Sequence, residues 1–419
     1  MTDRIVIIGG GIAGYSAAFE LSKYPCEITL IEKDKIGGTC LNRGCIPTKL
    51  FLHNSVGSEY KDIIIKNNEV LEKLRKSIER LVEKKKISYI LDEAEIESEN
   101  SIILKRTGET VKFDKLIISS GSEVIVPEVL RSIDLITSDS FFNLESISGK
   151  IVIVGGGYIG VEFATILKNL GCEVTIIEKE NSLLPNLDLD ISSELARSFE
   201  KRGIKIITGK EIERVEENRL YLSEGLELDY DHIFLAGGRK PCNIRSKIEF
   251  ERLKGIIMIN EYLETSNKNV FCIGDANGKF MLANKAEYEA KLIARNMFSE
   301  IKEKVDYSKL PFFIFCEPKI GIIGLNLSSE LNRSIKVPFS KIGKAFCDDS
   351  FDGFLKIFFD KDKKITGARV INKNAIEVMS ALIVIVQGGL TCKDVANMVF
   401  GHPTSAEIIK EAAIIACEI

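Results

Sequence analysis

Two cysteines in a glycine-containing segment are the residues of this sequence best suited to chemistry. The segment reads Gly37-Gly38-Thr39-Cys40-Leu41-Asn42-Arg43-Gly44-Cys45-Ile46-Pro47-Thr48-Lys49, with its cysteines five positions apart. If the turn between them is distorted, which Gly44 would ease, the two sulfurs can close a small loop. Such a bond accepts electrons and reopens by thiol–disulfide exchange, and the nearby Lys49 favours a thiolate. The spacing alone also fits half of a metal site or a coincidence, although three histidines in the whole chain leave few further metal ligands and we expect no metal.

Two glycine-rich turns that flank this segment predict dinucleotide-binding units. A short β-rich run at 4–8 leads into Gly9-Gly10-Gly11-Ile12-Ala13-Gly14 and a helical stretch, and a run at 151–154 leads into Gly155-Gly156-Gly157-Tyr158-Ile159-Gly160 in the same way. The first glycine allows the tight turn, the second lets backbone approach a pyrophosphate, and the third lets helix and strand pack closely. The helix N-terminus supplies free N–H groups for phosphates.

An acidic residue follows each turn at the end of the next strand, Glu32 in the first unit and Glu178 in the second. A carboxylate at this place accepts hydrogen bonds from a ribose hydroxyl. It also repels a 2′-phosphate, so Glu178 favours NAD over NADP.

His402 and Glu407 form a candidate acid–base pair near the end of the chain. A neutral imidazole titrates near the pH at which a thiol must lose its proton, and a carboxylate on its other nitrogen fixes the tautomer. A histidine before a proline is more often structural, so the residues alone leave both interpretations open.

Composition limits the class of protein. With 419 residues, 45% apolar and 28% charged, the chain is expected to fold into two to four globular domains. A formal net charge of −4 argues against nucleic acid as a partner. The apolar run 381–386 is far shorter than a membrane span, and the chain enters a strand directly after Arg4, without room for a signal peptide. Its ten cysteines are scattered, and we expect a cytoplasmic protein without a membrane anchor.

Taken with further motifs, these segments place the sequence in a known family. The further motifs are Leu235-Ala236-Gly237-Gly238-Arg239-Lys240-Pro241, Cys272-Ile273-Gly274-Asp275-Ala276 and His402-Pro403-Thr404-Ser405-Ala406-Glu407. In this order, the motifs resemble the class I pyridine nucleotide–disulfide oxidoreductases, most closely the dihydrolipoamide dehydrogenases. The resemblance extends over nearly the whole chain.

The resemblance implies roles for the redox segment. Cys40 and Cys45 would form the redox disulfide, with Cys45 facing the flavin as the charge-transfer thiolate and Cys40 exchanging with substrate. Lys49 would lie near flavin N5 and pair with Glu162. His402, oriented by Glu407, would deprotonate the incoming thiol at the disulfide of a partner subunit, which implies an obligate homodimer.

The resemblance also implies the cofactors FAD and NAD. Asp275 would hold the FAD ribitol, Ala283 would contact the cofactor through its backbone, and Gly121 stands in the place of a family turn. The residues expected to bind FAD are Gly9, Gly11, Gly14, Glu32, Gly38, Thr39, Lys49, Gly121, Asp275 and Ala283. Those expected to bind NAD are Gly155, Gly157, Gly160, Glu178 and Gly238.

The implied fold is α/β, with two Rossmann-like dinucleotide-binding domains and a C-terminal α+β dimerisation domain. FAD would bind to residues 1–145 and to a returning segment at 264–302, NAD to 146–263, and 303–419 would form the interface between subunits.

The implied activity is oxidation of dihydrolipoamide, free or on a lipoyl-carrying protein, with NAD⁺. Three departures from the family pattern bear on the substrate, namely Cys316-Glu317-Pro318-Lys319, Asn284 and Gly401. They leave open a nicotinamide-dependent reductase of another small disulfide, a quinone or oxygen. A more remote alternative is a non-enzymatic, nicotinamide-sensing flavoprotein.

Overall fold

The computed structural model describes residues 2–324 and 333–419. Its β-strands, in chain order, are β1 (Asp3–Ile8), β2 (Cys26–Glu32), β3 (Ser88–Leu91), β4 (Ala94–Ser98), β5 (Ser101–Leu104), β6 (Thr110–Lys112), β7 (Lys115–Ile118), β8 (Ser122–Val124), β9 (Ile136–Thr137), β10 (Lys150–Val154), β11 (Glu173–Glu178), β12 (Lys205–Thr208), β13 (Ile212–Glu216), β14 (Arg219–Leu222), β15 (Glu227–Asp229), β16 (His232–Leu235), β17 (Arg239–Pro241), β18 (Arg252–Leu253), β19 (Ile256–Ile257), β20 (Val270–Cys272), β21 (Pro311–Ile314), β22 (Ile320–Ile323), β23 (Arg333–Pro338), β24 (Phe354–Phe359) and β25 (Ile365–Ile371).

The α-helices connect these strands and cover the sheets. They are α1 (Ile12–Leu21), α2 (Gly38–Arg43), α3 (Cys45–Asn54), α4 (Tyr60–Lys84), α5 (Tyr158–Asn169), α6 (Leu189–Lys201), α7 (Ala283–Phe298), α8 (Gly343–Cys347), α9 (Ala375–Gly388), α10 (Cys392–Ala396) and α11 (Glu407–Glu418).

The first sheet is parallel, with strand order β20-β7-β1-β2-β3. Its central strand β1 is apolar on both faces, as expected for a strand covered on both sides. Ile5 and Ile7 pack with α1 and α7, while Val6 and Ile8 pack with the small antiparallel sheet β4-β5-β6. The glycine turn after β1 therefore lies at the carboxyl edge of a rigid layered unit.

The second sheet repeats this plan, with parallel order β12-β11-β10-β16-β9. Ile151 and Ile153 pack with α5, and Val152 faces the antiparallel meander β13-β14-β15. The sequence repeat is thus also a structural repeat, which places the second glycine turn in the same position on its own sheet.

The third sheet is antiparallel, with order β21-β22-β25-β24-β23. Helices α9, α10 and α11 pack with its buried face in a separate apolar core. Two parallel dinucleotide-binding sheets and this α+β unit confirm the predicted fold class.

Some contacts cross the predicted domain boundaries, so those boundaries remain a prediction. Strand β9 precedes residue 146, yet it pairs with β16 in the second sheet. Ile244 and Ile257, predicted to belong to the second unit, pack with Val6 and Ile8 of the first. Strands β8 and β17 pair where the chain passes between the two units.

No helix in residues 2–324 or 333–419 is both long enough and apolar enough to cross a membrane.

Candidate active site

A cavity of about 460 Å³ at the carboxyl edge of the first sheet gathers most of the predicted flavin-binding and redox residues. The predicted residues that line it are Gly9, Gly11, Glu32, Gly38, Thr39, Cys40, Cys45, Lys49, Gly121, Glu162, Asp275 and Ala283. Glu162 comes from helix α5 of the second unit, so the cavity lies where the two units meet.

The first glycine turn is shaped by close backbone contacts. Gly9 has φ +105°, and a Cβ built on it would lie 2.2 Å from the carbonyl oxygen of Ser119. A Cβ on Gly14 would lie 1.8 Å from the carbonyl oxygen of Gly9, so helix α1 can start this close to β1 only without a side chain.

The middle glycine of each turn is different, because the protein itself does not require it. A Cβ on Gly157 would meet no atom within 4 Å, and one on Gly11 would meet only Gly38 Cα at 3.8 Å. A bare backbone that faces open space at the N-terminus of a helix fits a bound pyrophosphate, which needs this approach. Both turns therefore fit the dinucleotides that the sequence predicts.

The two acidic residues are buried and bonded alike. Glu32 Oε2 accepts a hydrogen bond from Gly10 N at 2.6 Å, and Glu178 Oε2 accepts one from Gly156 N at 2.7 Å. Each bond spans 22 residues and ties the acid to its own glycine turn. A carboxylate has about four acceptor positions, so each can still accept a ribose hydroxyl. Glu178 and the other predicted NAD residues, Gly155, Gly157, Gly160 and Gly238, are not among the described residues that line the cavity.

A broken helix brings Cys40 and Cys45 together. In a continuous helix, residues five apart point about 140° away from each other. Here α2 ends at Arg43, Gly44 takes a non-helical conformation with φ −133° and ψ −117°, and α3 begins at Cys45. A Cβ on Gly44 would lie 2.8 Å from the carbonyl oxygen of Thr39, so this break needs glycine. Both cysteines are free in the structure, which is the reduced state of such a pair.

The two thiols have opposite electrostatic environments. A hydrogen bond between the sulfur groups and burial both raise the pKa of Cys40. The same hydrogen bond lowers the pKa of Cys45; burial opposes this effect, and the charge of Lys49 adds to it. Cys45 is therefore the sulfur that carries the negative charge when the reduced pair loses a proton.

Lys49 belongs to the first unit and is held by one residue from each of the other two units. Its Nζ lies 2.8 and 2.7 Å from the two carboxylate oxygens of Glu162 on α5. The backbone N–H of Phe315, which follows β21, donates to Glu162 Oε1 at 2.8 Å. The Phe315 ring lies under the ammonium, 4.8 Å from Nζ to the ring centroid. This arrangement fixes a positive charge near Cys45.

Removing that charge is expected to raise the pKa of Cys45. In the reduced Lys49→Met variant, the midpoint pH for alkylation of Cys45 should rise by about one to three units, because the cation is lost and Glu162 remains. The measurement is the pH dependence of iodoacetamide alkylation, followed by mass spectrometry of the peptide that carries Cys45.

Lys33→Met is the matched control, since Lys33 lines the same cavity and is not among the charges that shift Cys45. An unchanged midpoint in Lys49→Met, or an equal shift in both variants, would contradict this assignment of the charge.

Asp275 is oriented by a chain of hydrogen bonds. Arg239 Nε donates to Ser122 Oγ at 2.9 Å, and Ser122 Oγ donates to Asp275 Oδ2 at 2.7 Å. Because a guanidinium only donates, the single hydroxyl proton of Ser122 is directed to Asp275. The carboxylate thus keeps acceptor capacity for a ligand hydroxyl in the cavity.

A buried ion pair supports the same loop from behind. Lys285 Nζ is fully buried, lies 3.2 Å from Glu289 Oε2, and donates to the Gly274 carbonyl at 2.8 Å. Glu289 Oε2 accepts from Gly274 N at 2.7 Å. Burial lowers the pKa of Lys285, and the charge of Glu289 opposes that effect. The pair therefore fixes both backbone groups of the residue before Asp275.

The predicted acid–base pair is formed within the third unit. His402 Nδ1 lies 2.9 Å from Glu407 Oε1, and Glu407 Oε2 accepts from Thr404 N at 2.9 Å. The hydrogen bond from His402 lowers the pKa of Glu407, so the carboxylate is ionised and the ring proton belongs on Nδ1. This leaves Nε2 free to accept a proton. His402 is 76% exposed, and neither residue of the pair is among the described residues that line the cavity.

Several contributors were not found from the sequence. Phe315 and Ser122 act through contacts between units, for which a linear pattern gives no signal. Arg239 lies in a motif that the sequence shows, but its bond to Ser122 was not predicted. Lys285 and Glu289 do carry a signal, because opposite charges four apart on a helix commonly pair. Within residues 2–324 and 333–419, no group of three or more His, Cys, Asp or Glu side chains could hold a metal ion.

Comparison with known proteins identifies the family. Residues 3–290 match the model described as "Pyridine nucleotide-disulphide oxidoreductase", and residues 310–413 match the dimerisation domain of the same family. The dihydrolipoyl dehydrogenase of Staphylococcus aureus is 30% identical over 450 residues, covering 98% of this chain and 96% of that protein. Its counterpart from Chlamydia pneumoniae is also 30% identical, with the same coverage.

Among solved structures, the HOCl-induced flavoprotein disulfide reductase RclA from Escherichia coli superposes with a TM-score of 0.91 at 26% identity. The match covers 98% of this chain and 99% of that one. These findings confirm the predicted class of enzyme and its cofactors. The chain belongs to the pyridine nucleotide–disulfide oxidoreductases and is an oxidoreductase that uses FAD and a nicotinamide cofactor.

Proposed function

We propose that the protein oxidises dihydrolipoamide to lipoamide with NAD⁺ through Cys40 and Cys45. The observation that carries this proposal is the cysteine pair on the cavity wall, with the pKa of Cys45 lowered beside the Lys49–Glu162 ion pair. Its support for the substrate is the similarity to curated dihydrolipoyl dehydrogenases over nearly the full length of both chains.

The exchange chemistry follows from the two thiols. In the oxidised enzyme, a substrate thiolate attacks Cys40 Sγ, the Cys40–Cys45 bond breaks, and Cys45 leaves as the thiolate. The positive charge of Lys49, which favours the thiolate of Cys45, makes Cys45 the better leaving group. The second substrate thiol then displaces Cys40, so the substrate becomes a disulfide and both protein cysteines are reduced. His402 Nε2 accepts the proton that a substrate thiol must lose.

We further propose that the protein works as a homodimer in which His402 serves the cysteine pair of the other subunit. His402 is exposed on its own chain and belongs to the region that matches the family's dimerisation domain. His402 is not among the described residues that line the cavity, so a second subunit would bring this base to a substrate thiol.

FAD, when bound, supplies the two-electron transfer between the protein thiols and NAD⁺. Gly9, Gly11, Gly14, Glu32, Gly38, Thr39, Lys49, Gly121, Asp275 and Ala283 would hold it, as the sequence predicts. Gly155, Gly157, Gly160, Glu178 and Gly238 would hold the nicotinamide cofactor. The buried carboxylate of Glu178 favours NAD over NADP, because a 2′-phosphate would face a negative charge.

A second candidate is reduction of a different disulfide with NADH. The observation that favours it is the similarity to RclA, which is a flavoprotein disulfide reductase. The chemistry of the cysteine pair would be the same in the reverse direction, and the substrate would differ.

A comparison of substrates tests the proposal. NADH oxidation by the purified holoenzyme is measured with lipoamide, glutathione disulfide, coenzyme A disulfide, a quinone and oxygen, and NAD⁺ reduction is measured with dihydrolipoamide. We expect kcat/KM for lipoamide to exceed that for every other acceptor by at least about a hundredfold, since productive exchange needs a fitted substrate.

Preference for glutathione disulfide or coenzyme A disulfide would replace lipoamide with the second candidate and keep the cysteine mechanism. Faster turnover with a quinone or oxygen, unaffected by loss of the cysteines, would contradict the mechanism itself.

A further inference from the structure

Asn42, which lies between the two cysteines, ties helix α2 to the glycine turn before it. Its Nδ2 donates to the carbonyl oxygens of Ile36 at 3.1 Å and Gly38 at 3.0 Å. Gly38 lines the cavity, and the neighbouring Gly37 donates its N–H to the Gly10 carbonyl at 2.8 Å. The Asn42 side chain therefore links the helix that carries Cys40 to the first dinucleotide-binding turn.

The other end of this amide is held by helix α4. Arg75 Nη1 donates to Asn42 Oδ1 at 3.0 Å. Asn42 Nδ2 also lies 3.4 Å from the Lys35 carbonyl oxygen. A guanidinium only donates and backbone carbonyls only accept, so the amide has one orientation that satisfies all four partners. The Arg75 side chain is 18% exposed, and its Nη2 is fixed by Glu72 Oε2 at 2.6 Å.

Helix α2 needs such an anchor because it is short. It has six residues, fewer than an isolated helix needs to be stable, and it ends in the irregular residue Gly44. The position of Cys40 relative to Cys45 is therefore set by tertiary contacts. Arg75 on the long helix α4 makes such a contact with α2, through its charged guanidinium.

We infer that Arg75 is a positioning residue for the cysteine pair. Through Asn42 it holds α2 so that Cys40 stays within reach of Cys45 in the reduced enzyme, which favours closure of the disulfide. This inference rests on the proposed function, because it concerns the same two sulfurs. It adds a residue of α4 that touches neither sulfur and is not part of the cysteine motif.

The disulfide equilibrium measures this effect directly. With glutathione disulfide as the oxidant, Cys40 and Cys45 lose two electrons and two protons and form one bond, while the glutathione disulfide becomes two glutathione thiols. Loss of the anchor lets Cys40 sample positions away from Cys45, so the equilibrium constant for closing the disulfide falls. The pKa of Cys45 should rise at the same time, because the hydrogen bond from Cys40 is the largest effect that lowers it and is lost whenever Cys40 moves away.

The experiment compares wild type, Arg75→Met, Arg75→Lys and Lys76→Met as holoenzymes in anaerobic glutathione buffers of varied ratio. Samples are quenched with acid, alkylated and digested with trypsin. The reduced cysteines then appear in separate peptides, 36–43 and 44–49, and the oxidised pair appears as one linked species. In Arg75→Met, the equilibrium constant should fall roughly threefold to tenfold, the size expected for losing one ordinary hydrogen bond.

Lys76→Met is the matched control, because Lys76 pairs with the same Glu72 and is not bonded to Asn42. It should behave as wild type, and Arg75→Lys, which keeps a donor, should recover part of the loss. If Arg75→Met does not fold, a wild-type value in Arg75→Lys would overturn the inference, and a reduced value would support it.

An unchanged constant in Arg75→Met, or an equal fall in Lys76→Met, would overturn the positioning role alone. A wild-type enzyme that forms no Cys40–Cys45 disulfide in any buffer would overturn the proposed function as well, so the two failures are distinguishable.

Discussion

Replacement of Cys45 by serine is expected to reduce dihydrolipoamide oxidation to below about one-thousandth of the wild-type rate, since covalent exchange is lost with the sulfur. A serine hydroxyl forms no disulfide with Cys40 and does not ionise at neutral pH. The hydrogen bond and the lysine charge that lower the pKa of Cys45 would then act on a group that cannot use them.

Reduction of an artificial dye by NADH should persist in Cys45→Ser at a substantial fraction of the wild-type rate. This reaction needs the bound cofactors and no protein thiol. The two activities are measured on the same preparation, together with the flavin content from the visible spectrum, so that loss of cofactor is recognised separately from loss of exchange.

Cys347→Ser is the matched control, because Cys347 is an exposed free cysteine on α8, outside the cavity lining. It should retain both activities. Dihydrolipoamide turnover that survived in Cys45→Ser would show that the electrons travel by a route without this disulfide.

The sequence was sufficient where a local pattern determines the structure. The start of the helix in each glycine turn depends on a contact inside one strand–turn–helix unit, such as the approach of Gly14 to the Gly9 carbonyl. The spacing of residues therefore predicts it. The same holds for the distorted turn at Gly44 and for the buried acids Glu32 and Glu178, each bonded to its own turn.

The sequence was not sufficient where the site depends on packing between units. Phe315 lies 153 residues from Glu162, and its role comes from the position of the third sheet against α5. Arg75 reaches Asn42 across 33 residues because α4 packs beside α2. Such contacts depend on how whole helices and sheets are arranged, and no periodicity or spacing encodes that arrangement locally.

His402 shows both situations. Its pairing with Glu407 is local, because the bond spans five residues at the start of α11, and the sequence predicts it. The expectation that it serves the cysteine pair of a second subunit concerns a dimer, which one chain does not contain. The resemblance supplied that expectation, and an exposed imidazole with a free Nε2 is consistent with it.

Mixed dimers test whether His402 serves the cysteine pair of the other subunit, and the expected change in activity is large. His402→Gln is expected to lower dihydrolipoamide oxidation by about 10² to 10⁴, the range for loss of a general base. Cys45→Ser should be inactive for the reason given above. A dimer with one subunit of each kind has one site that joins an intact Cys45 to an intact His402 of the other chain. It should recover about half of wild-type activity, as one intact site of two.

The mixed dimer is obtained by co-expression with two different affinity tags and sequential purification, and its rate is compared with that of both parent homodimers. A dimer of His402→Gln with the double variant Cys45→Ser/His402→Gln is the control. It contains no intact His402 and should stay inactive. If His402 served the cysteines of its own chain, neither mixed dimer would contain an intact site. Activity would then not recover, and the proposal that His402 serves the cysteine pair of the other subunit would be wrong.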